Sequence, residues 1–169
     1  MLPEISLHIL DLAENSIQAG ATLIQIQVVS DRDADQMTVS VTDNGHGMTR
    51  QQLAVAADPF FTSRDARPVG LGLSFFQYAA ESTGGSFSIT SKPGKGTTVT
   101  GIFIPSHIDC MPLGNLAETM QALVIGHPQT DFTLSYRDSF GNFSMDTREL
   151  DTNRRYSTPT THHLKVMGL

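Results

Sequence analysis

A chain of 169 residues with 39% hydrophobic content holds one ordinary domain with room for an appendage, which excludes a disordered polypeptide. Its formal net charge of -6, with 11 Lys and Arg against 17 Asp and Glu and no basic cluster, excludes binding nucleic acid through a phosphate-neutralising stripe. The single cysteine, Cys110, rules out a disulfide within the chain, and with neither a signal peptide nor a long apolar run we expect a cytoplasmic protein with no membrane segment.

In chain order, Pro3 precedes an apolar stripe at Ile5, Ile9, Leu12 and Ser16, and Gly20 stands where a C-cap would end it, which predicts a helix over 3–19. Its "DLAENSIQAGA" stretch sets Asp11, Glu14 and Asn15 into an otherwise Ala- and Gly-rich helix end. Residues four apart share a helix face, so Asp11 and Asn15 are expected to point the same way with Glu14 turned aside, making a two-oxygen site for a ligand. "TLIQIQVVS" and "QMTVSVTD" alternate around the polar turn "DRDAD" and predict a hairpin. A short helix begun by Thr49 leads into the aperiodic loop "ADPFFTSRDARPVG", and "GLSFFQYAAESTGG" is a second long helix. Strands "SFSITS" and "TTVTGIFIP" flank the turn "KPGKG".

This pattern predicts an α+β fold, a two-layer sandwich with helices on one face of a mixed, mainly antiparallel sheet. Pro105 closes a first unit, 1–105. Residues 106–147 add an amphipathic helix in "PLGNLAETMQALVIGHP" and a hairpin turning at Asp138 to Asn142, placed to extend the sheet edge. From 148 to 169 the chain is polar without a period, a loose tail or a docking segment for a partner.

Three further stretches carry chemistry. In "DNGHGM", Asp43 ends a strand and Gly45 and Gly47 let backbone approach a planar ligand that the carboxylate holds. Adenine offers an amino donor where guanine offers a carbonyl, so a buried carboxylate there selects adenine; Asp-Asn-Gly is equally a tight-turn signal. "VGLGLS" places Gly70, Leu71 and Gly72 ahead of a helix beginning near Leu73, where free N–H groups and a positive helix end suit a phosphate chain, or where a hinge or capping turn suffices. Arg64 in "FFTSR" is either a guanidinium for a terminal phosphate or a solvated surface arginine.

The order of these stretches resembles that of the GHKL superfamily of ATPases and kinases, which includes gyrase, heat-shock chaperones, histidine kinases and MutL-type mismatch-repair proteins. "ENSIQAGA" looks like its N box, "DNGHGM" its first glycine box, "DPFFTSR" the loop box of histidine kinases, "VGLGLS" its second glycine box and "GKGTTVTGIFIP" its closing strand pair. The resemblance covers Met1 to about Pro105 and implies the Bergerat ATP-binding fold, with a mobile lid between Thr49 and Gly72 that orders around the terminal phosphate through Arg64. It further implies that Asn15 coordinates Mg2+ on the phosphates, that Asp43 binds adenine and that Thr97 supports the adenine pocket. Gly45, Gly47, Gly70 and Gly72 match the box glycines, and Leu71 falls within the second glycine box at the cofactor.

Asp11 occupies the position where hydrolases and anti-sigma-factor kinases of the superfamily carry a glutamate general base. One carbon shorter, it is either a base of reduced reach or a ligand to Mg2+-bound water with no proton role. Glu14 beside the asparagine is as in MutL-type proteins and reads as a solvated face, and His8, one turn before Asp11, reads as a satisfied residue. So few residues precede the N box that neither a dimerising hairpin nor a phosphoacceptor histidine is expected in the chain. The resemblance therefore implies a kinase or slow ATPase acting on a separate, unidentified protein; the alternative is a nucleotide-gated binding module without turnover. The C-terminal helix and hairpin are similar to the segment after the ATPase core of mismatch-repair proteins, although no DNA-binding surface is expected.

Overall fold

Alternation of branched apolar residues with Gln, Ser and Thr builds the sheet. In β1 (Leu23–Asp31), Ile24, Ile26 and Val28 are buried while Gln25 and Gln27 face outward. β2 (Gln36–Asp43) repeats the pattern with Met37, Val39 and Val41 and pairs antiparallel with β1. Taken with β3 (Ser86–Lys92), β4 (Gly96–Phe103), β5 (Asp131–Asp138) and β6 (Gly141–Asp146), the strands lie in the order β3-β4-β2-β1-β5-β6. All pairs are antiparallel except β1 with β5, so the sheet is mixed and mainly antiparallel as expected. The computed structural model describes residues 2–56 and 72–149. Residues 57–71, which make up most of the expected lid and include Arg64, Gly70 and Leu71, lie outside the described residues, as does the tail from 150 onward.

Three helices cover one face: α1 (Ile5–Gln18), α3 (Gly72–Ser82) and α4 (Leu116–Gly126). Ile5, Ile9 and Leu12 of α1 share one core with Phe76 of α3, Leu123 of α4, Val28 of β1 and Phe132 of β5. Each such burial stabilises the fold by about 1.5–3 kcal/mol, which is why the helices dock despite their modest length. The short α2 (Arg50–Ala56) has no fully buried residue, with Ala56 packed partly on the core, and is started by Thr49, whose N–H and Oγ1 bond reciprocally with Gln52.

The segment after Pro105 belongs to the same core and sheet: Leu116, Met120 and Leu123 pack on the other helices, and Phe132 and Leu134 are buried beneath them. It also grips the start of α1. Glu4 supplies no side-chain cap, and the N–H groups of Ile5 and Ser6 instead donate to the carbonyls of Pro112 and Leu113 at 3.0 and 2.8 Å. That is why α1 begins at Ile5 rather than Pro3. A single 3-10 turn (Thr147–Glu149) follows β6.

The opposite sheet face is polar. Ser88, Thr100, Ser40, Gln27, Ser135 and Ser144 stand in one row across all six strands, and Ser40 and Thr100 share a hydrogen bond at 2.8 Å. Among the described residues, no helix is long and apolar enough to cross a membrane.

Candidate functional site

Asp43 ends β2 in the same phase as Met37, Val39 and Val41, so the strand period drives its carboxylate to the helix-covered side. It is 9% exposed there. A buried carboxylate is tolerated only when its oxygens are bonded. Oδ1 accepts the N–H of Gly45 at 2.8 Å and of Thr97 at 3.3 Å, and Oδ2 accepts the Ser16 hydroxyl of α1 at 2.8 Å. A carboxylate has about four lone-pair positions, so one remains on Oδ2 for a donor from outside.

Asp43 lines a cavity whose apolar walls are Leu12, Met48, Leu73, Ile89 and Val99 and whose polar lining includes Asn15, Gln18, Gln52 and Thr97. Gly47 closes the loop against the β3–β4 turn: its φ is +65° and a Cβ there would stand 2.0 Å from the Lys92 carbonyl oxygen, so only glycine fits. The loop is pinned from behind by Asn44, whose amide oxygen accepts the N–H groups of Thr22 and Leu23 at 2.9 and 3.0 Å. Thr97 contributes its backbone N–H to Asp43, while its hydroxyl bonds that of Ser91 at 2.8 Å. Asn15 presents a buried amide nitrogen that bonds none of the described residues. Among the described residues, no group of three or more His, Cys, Asp or Glu side chains could hold a metal ion.

Asp11 and Asn15 do not share this cavity. Each residue turns a helix by about 100°, which leaves Asp11 offset from Asn15 by about 40° and from Glu14 by about 60° the other way. The first turn of α3 falls between: Leu73 lines the cavity with Asn15, whereas Gly72 lines an outer groove of about 470 Å³ with Asp11, Glu14, Leu7, Leu10 and Phe75. Asp11 packs so closely on that turn that a Cβ on Gly72 would stand 2.0 Å from its Oδ2. The single two-oxygen face expected from the spacing is therefore split by α3.

Two neighbours add to the expectation. Glu14 is partly exposed, and its Oε1 also pairs with Nε2 of His127 at the end of α4, at 2.8 Å. His8 is not satisfied: it is fully buried against Phe76, neither ring nitrogen has a partner among the described residues, and burial pushes its imidazole below the ordinary value while the Asp11 carboxylate opposes that shift.

Ser16 is the site residue that sequence reasoning missed, since its spacing counts it in the apolar stripe. Its position directly after Asn15 is the only local signal. Ser16→Ala removes the hydroxyl that orients Oδ2 and is expected to cost about 0.5–1.5 kcal/mol of nucleotide affinity by calorimetry, with α1 still folded by circular dichroism.

Comparison with known proteins agrees with this geometry. The family model for the histidine kinase-, DNA gyrase B- and HSP90-like ATPases matches residues 4–108. The chain is 35% identical over 100 residues to sensor histidine kinase ZraS of Escherichia coli K12, covering 59% of this chain and 21% of that protein. It is 36% identical over 110 residues to sensor protein kinase FleS of Pseudomonas aeruginosa, covering 65% and 27%. It thus spans about a fifth to a quarter of the length of these relatives. The solved ATPase domain of Aquifex aeolicus MutL, complexed with ADP, superposes with a TM-score of 0.57 at 14% identity, over 92% of this chain and 68% of that one. That likeness is one of fold, and its coverage runs past residue 108 into the C-terminal helix and hairpin. The boxes, the sandwich and the family match together make this chain a member of the histidine kinase-, DNA gyrase B- and HSP90-like ATPase family, the GHKL superfamily.

Proposed function

We propose that this chain binds ATP with Mg2+ and acts as a kinase or slow ATPase on a partner protein. The observation that carries the reading is the one acceptor position left on Asp43 Oδ2, in a residue that lines a cavity with both apolar walls and polar groups. It suits the adenine amino group, whereas the guanine carbonyl would set acceptor against acceptor. Asn15 fits the phosphate end: its amide oxygen is the hard donor that would hold Mg2+, and its amide nitrogen, which bonds none of the described residues, has a place for a phosphate oxygen. The ion supplies charge neutralisation along the phosphates.

In this reading Asp11, held against the first turn of α3, accepts the proton of the attacking water or partner group. A specific observation favours a second reading, a nucleotide-gated binding module without turnover: Asp11 opens to a different groove from Asn15. Calorimetry with Mg-ATP and Mg-GTP, followed by release of labelled phosphate, tests both. A preference for ATP is expected, with slow release by the isolated chain; equal affinity for the two nucleotides overturns the role of Asp43, and no release with any captured partner leaves the binding module.

A further inference from the structure

We propose that His46 is a second specificity-determining residue of this cavity, one that reads the ribose hydroxyls of the bound nucleotide. The inference deepens the ATP-binding reading and rests on it. His46 is held unusually firmly for an exposed loop residue. Its N–H donates to the Ala19 carbonyl at the end of α1 at 2.9 Å, and its own carbonyl accepts the N–H of Gly94 in the β3–β4 turn at 2.7 Å. The ring is fixed as well, with Nδ1 2.7 Å from the Gly47 carbonyl oxygen. A carbonyl only accepts, so Nδ1 carries a proton, and in the neutral form of the ring Nε2 keeps an acceptor lone pair. No described residue bonds Nε2.

His46 lines the same cavity as Asp43, but unlike Asp43 it is exposed, which places it at the rim. The amino group and the glycosidic nitrogen lie at opposite ends of adenine. An amino group on Asp43 therefore sends the ribose to the mouth, beside His46. There the remaining donors of a nucleoside are its two hydroxyls, and Nε2 of His46 is an acceptor held in place on the rim beside the exposed Gln18 and Gln52.

Calorimetry with the full chain and ATP, 2′-deoxy-ATP and 3′-deoxy-ATP tests this, using the wild type, His46→Phe and His46→Ala. His46→Phe keeps a ring and removes Nε2; His46→Ala guards against an effect of bulk. The wild type is expected to bind ATP about 2- to 12-fold more tightly than at least one deoxynucleotide, the worth of one hydrogen bond, and both variants to lose that preference. A wild type without the preference, or variants that keep it, overturns the role of His46 while leaving ATP binding intact. A wild type that binds no adenine nucleotide overturns the ATP reading itself, and this one with it.

Discussion

Asp43→Asn is expected to weaken ATP binding by about 1 to 3 kcal/mol, a rise in Kd of about 5- to 150-fold in calorimetry. The oxygen that an asparagine retains can still accept the N–H groups of Gly45 and Thr97, so the loop keeps its shape. The amide nitrogen then takes the place of Oδ2. Ser16 can rotate its hydroxyl to accept from it, but the adenine amino group now meets a donor in place of an acceptor. The loss falls on the ligand rather than on the fold: the thermal midpoint without nucleotide should move little, and the midpoint gained on adding ATP should shrink. A variant that binds ATP as the wild type does removes Asp43 from the base pocket.

The second large effect separates the two oxygen residues of α1. Asp11→Asn is expected to slow turnover about 10²- to 10⁴-fold with little change in ATP affinity, because a general base acts on the reaction step. Asn15→Ala is expected to lower both, since the amide that would hold Mg2+ and the phosphates is gone. The geometry sharpens the contrast, as Asn15 lines the cavity and Asp11 the groove beyond the first turn of α3. Turnover and affinity measured side by side decide it. If Asp11→Asn leaves turnover and partner phosphorylation unchanged while Asn15→Ala abolishes binding, Asp11 has no proton role.

Much of this architecture was legible from periodicity. Ile24, Ile26 and Val28 alternate with Gln25 and Gln27, and Ile5, Ile9 and Leu12 recur at helical spacing, so the elements and the buried face of each follow from side-chain geometry. Asp43 was legible as a buried strand end by the same rule. What periodicity does not carry is partnership across distance. Phe132 and Leu134 show which face of β5 is buried but not that β5 joins β1 in parallel. Glu14 finds His127 across 113 residues, a contact that no local pattern marks. The separation of Asp11 from Asn15 depends on where Gly72 starts α3 against them, which is a property of packing. Ser16 was hidden for a related reason: a serine on the buried side of a helix fits an apolar stripe until its hydrogen-bond partner, 27 residues away, is known.

The parallel pairing of β1 with β5 bears on how the chain reaches its native state. Leu23 lies opposite Asp131, 108 positions further along, so an interior pairing of the sheet closes an unusually long loop. Closing it costs entropy before the contacts repay it, which marks a slow-folding topology of high contact order. During synthesis the hairpin of β1 and β2 is complete long before β5 has been made, and over that interval β1 offers an open edge whose inner face is Ile24, Ile26 and Val28. An apolar edge of this kind is a template for pairing with another chain. Once β5 is in place, the exposed edge passes to β6, a strand of six residues (Gly141–Asp146) ending in an aspartate, which is a far poorer template.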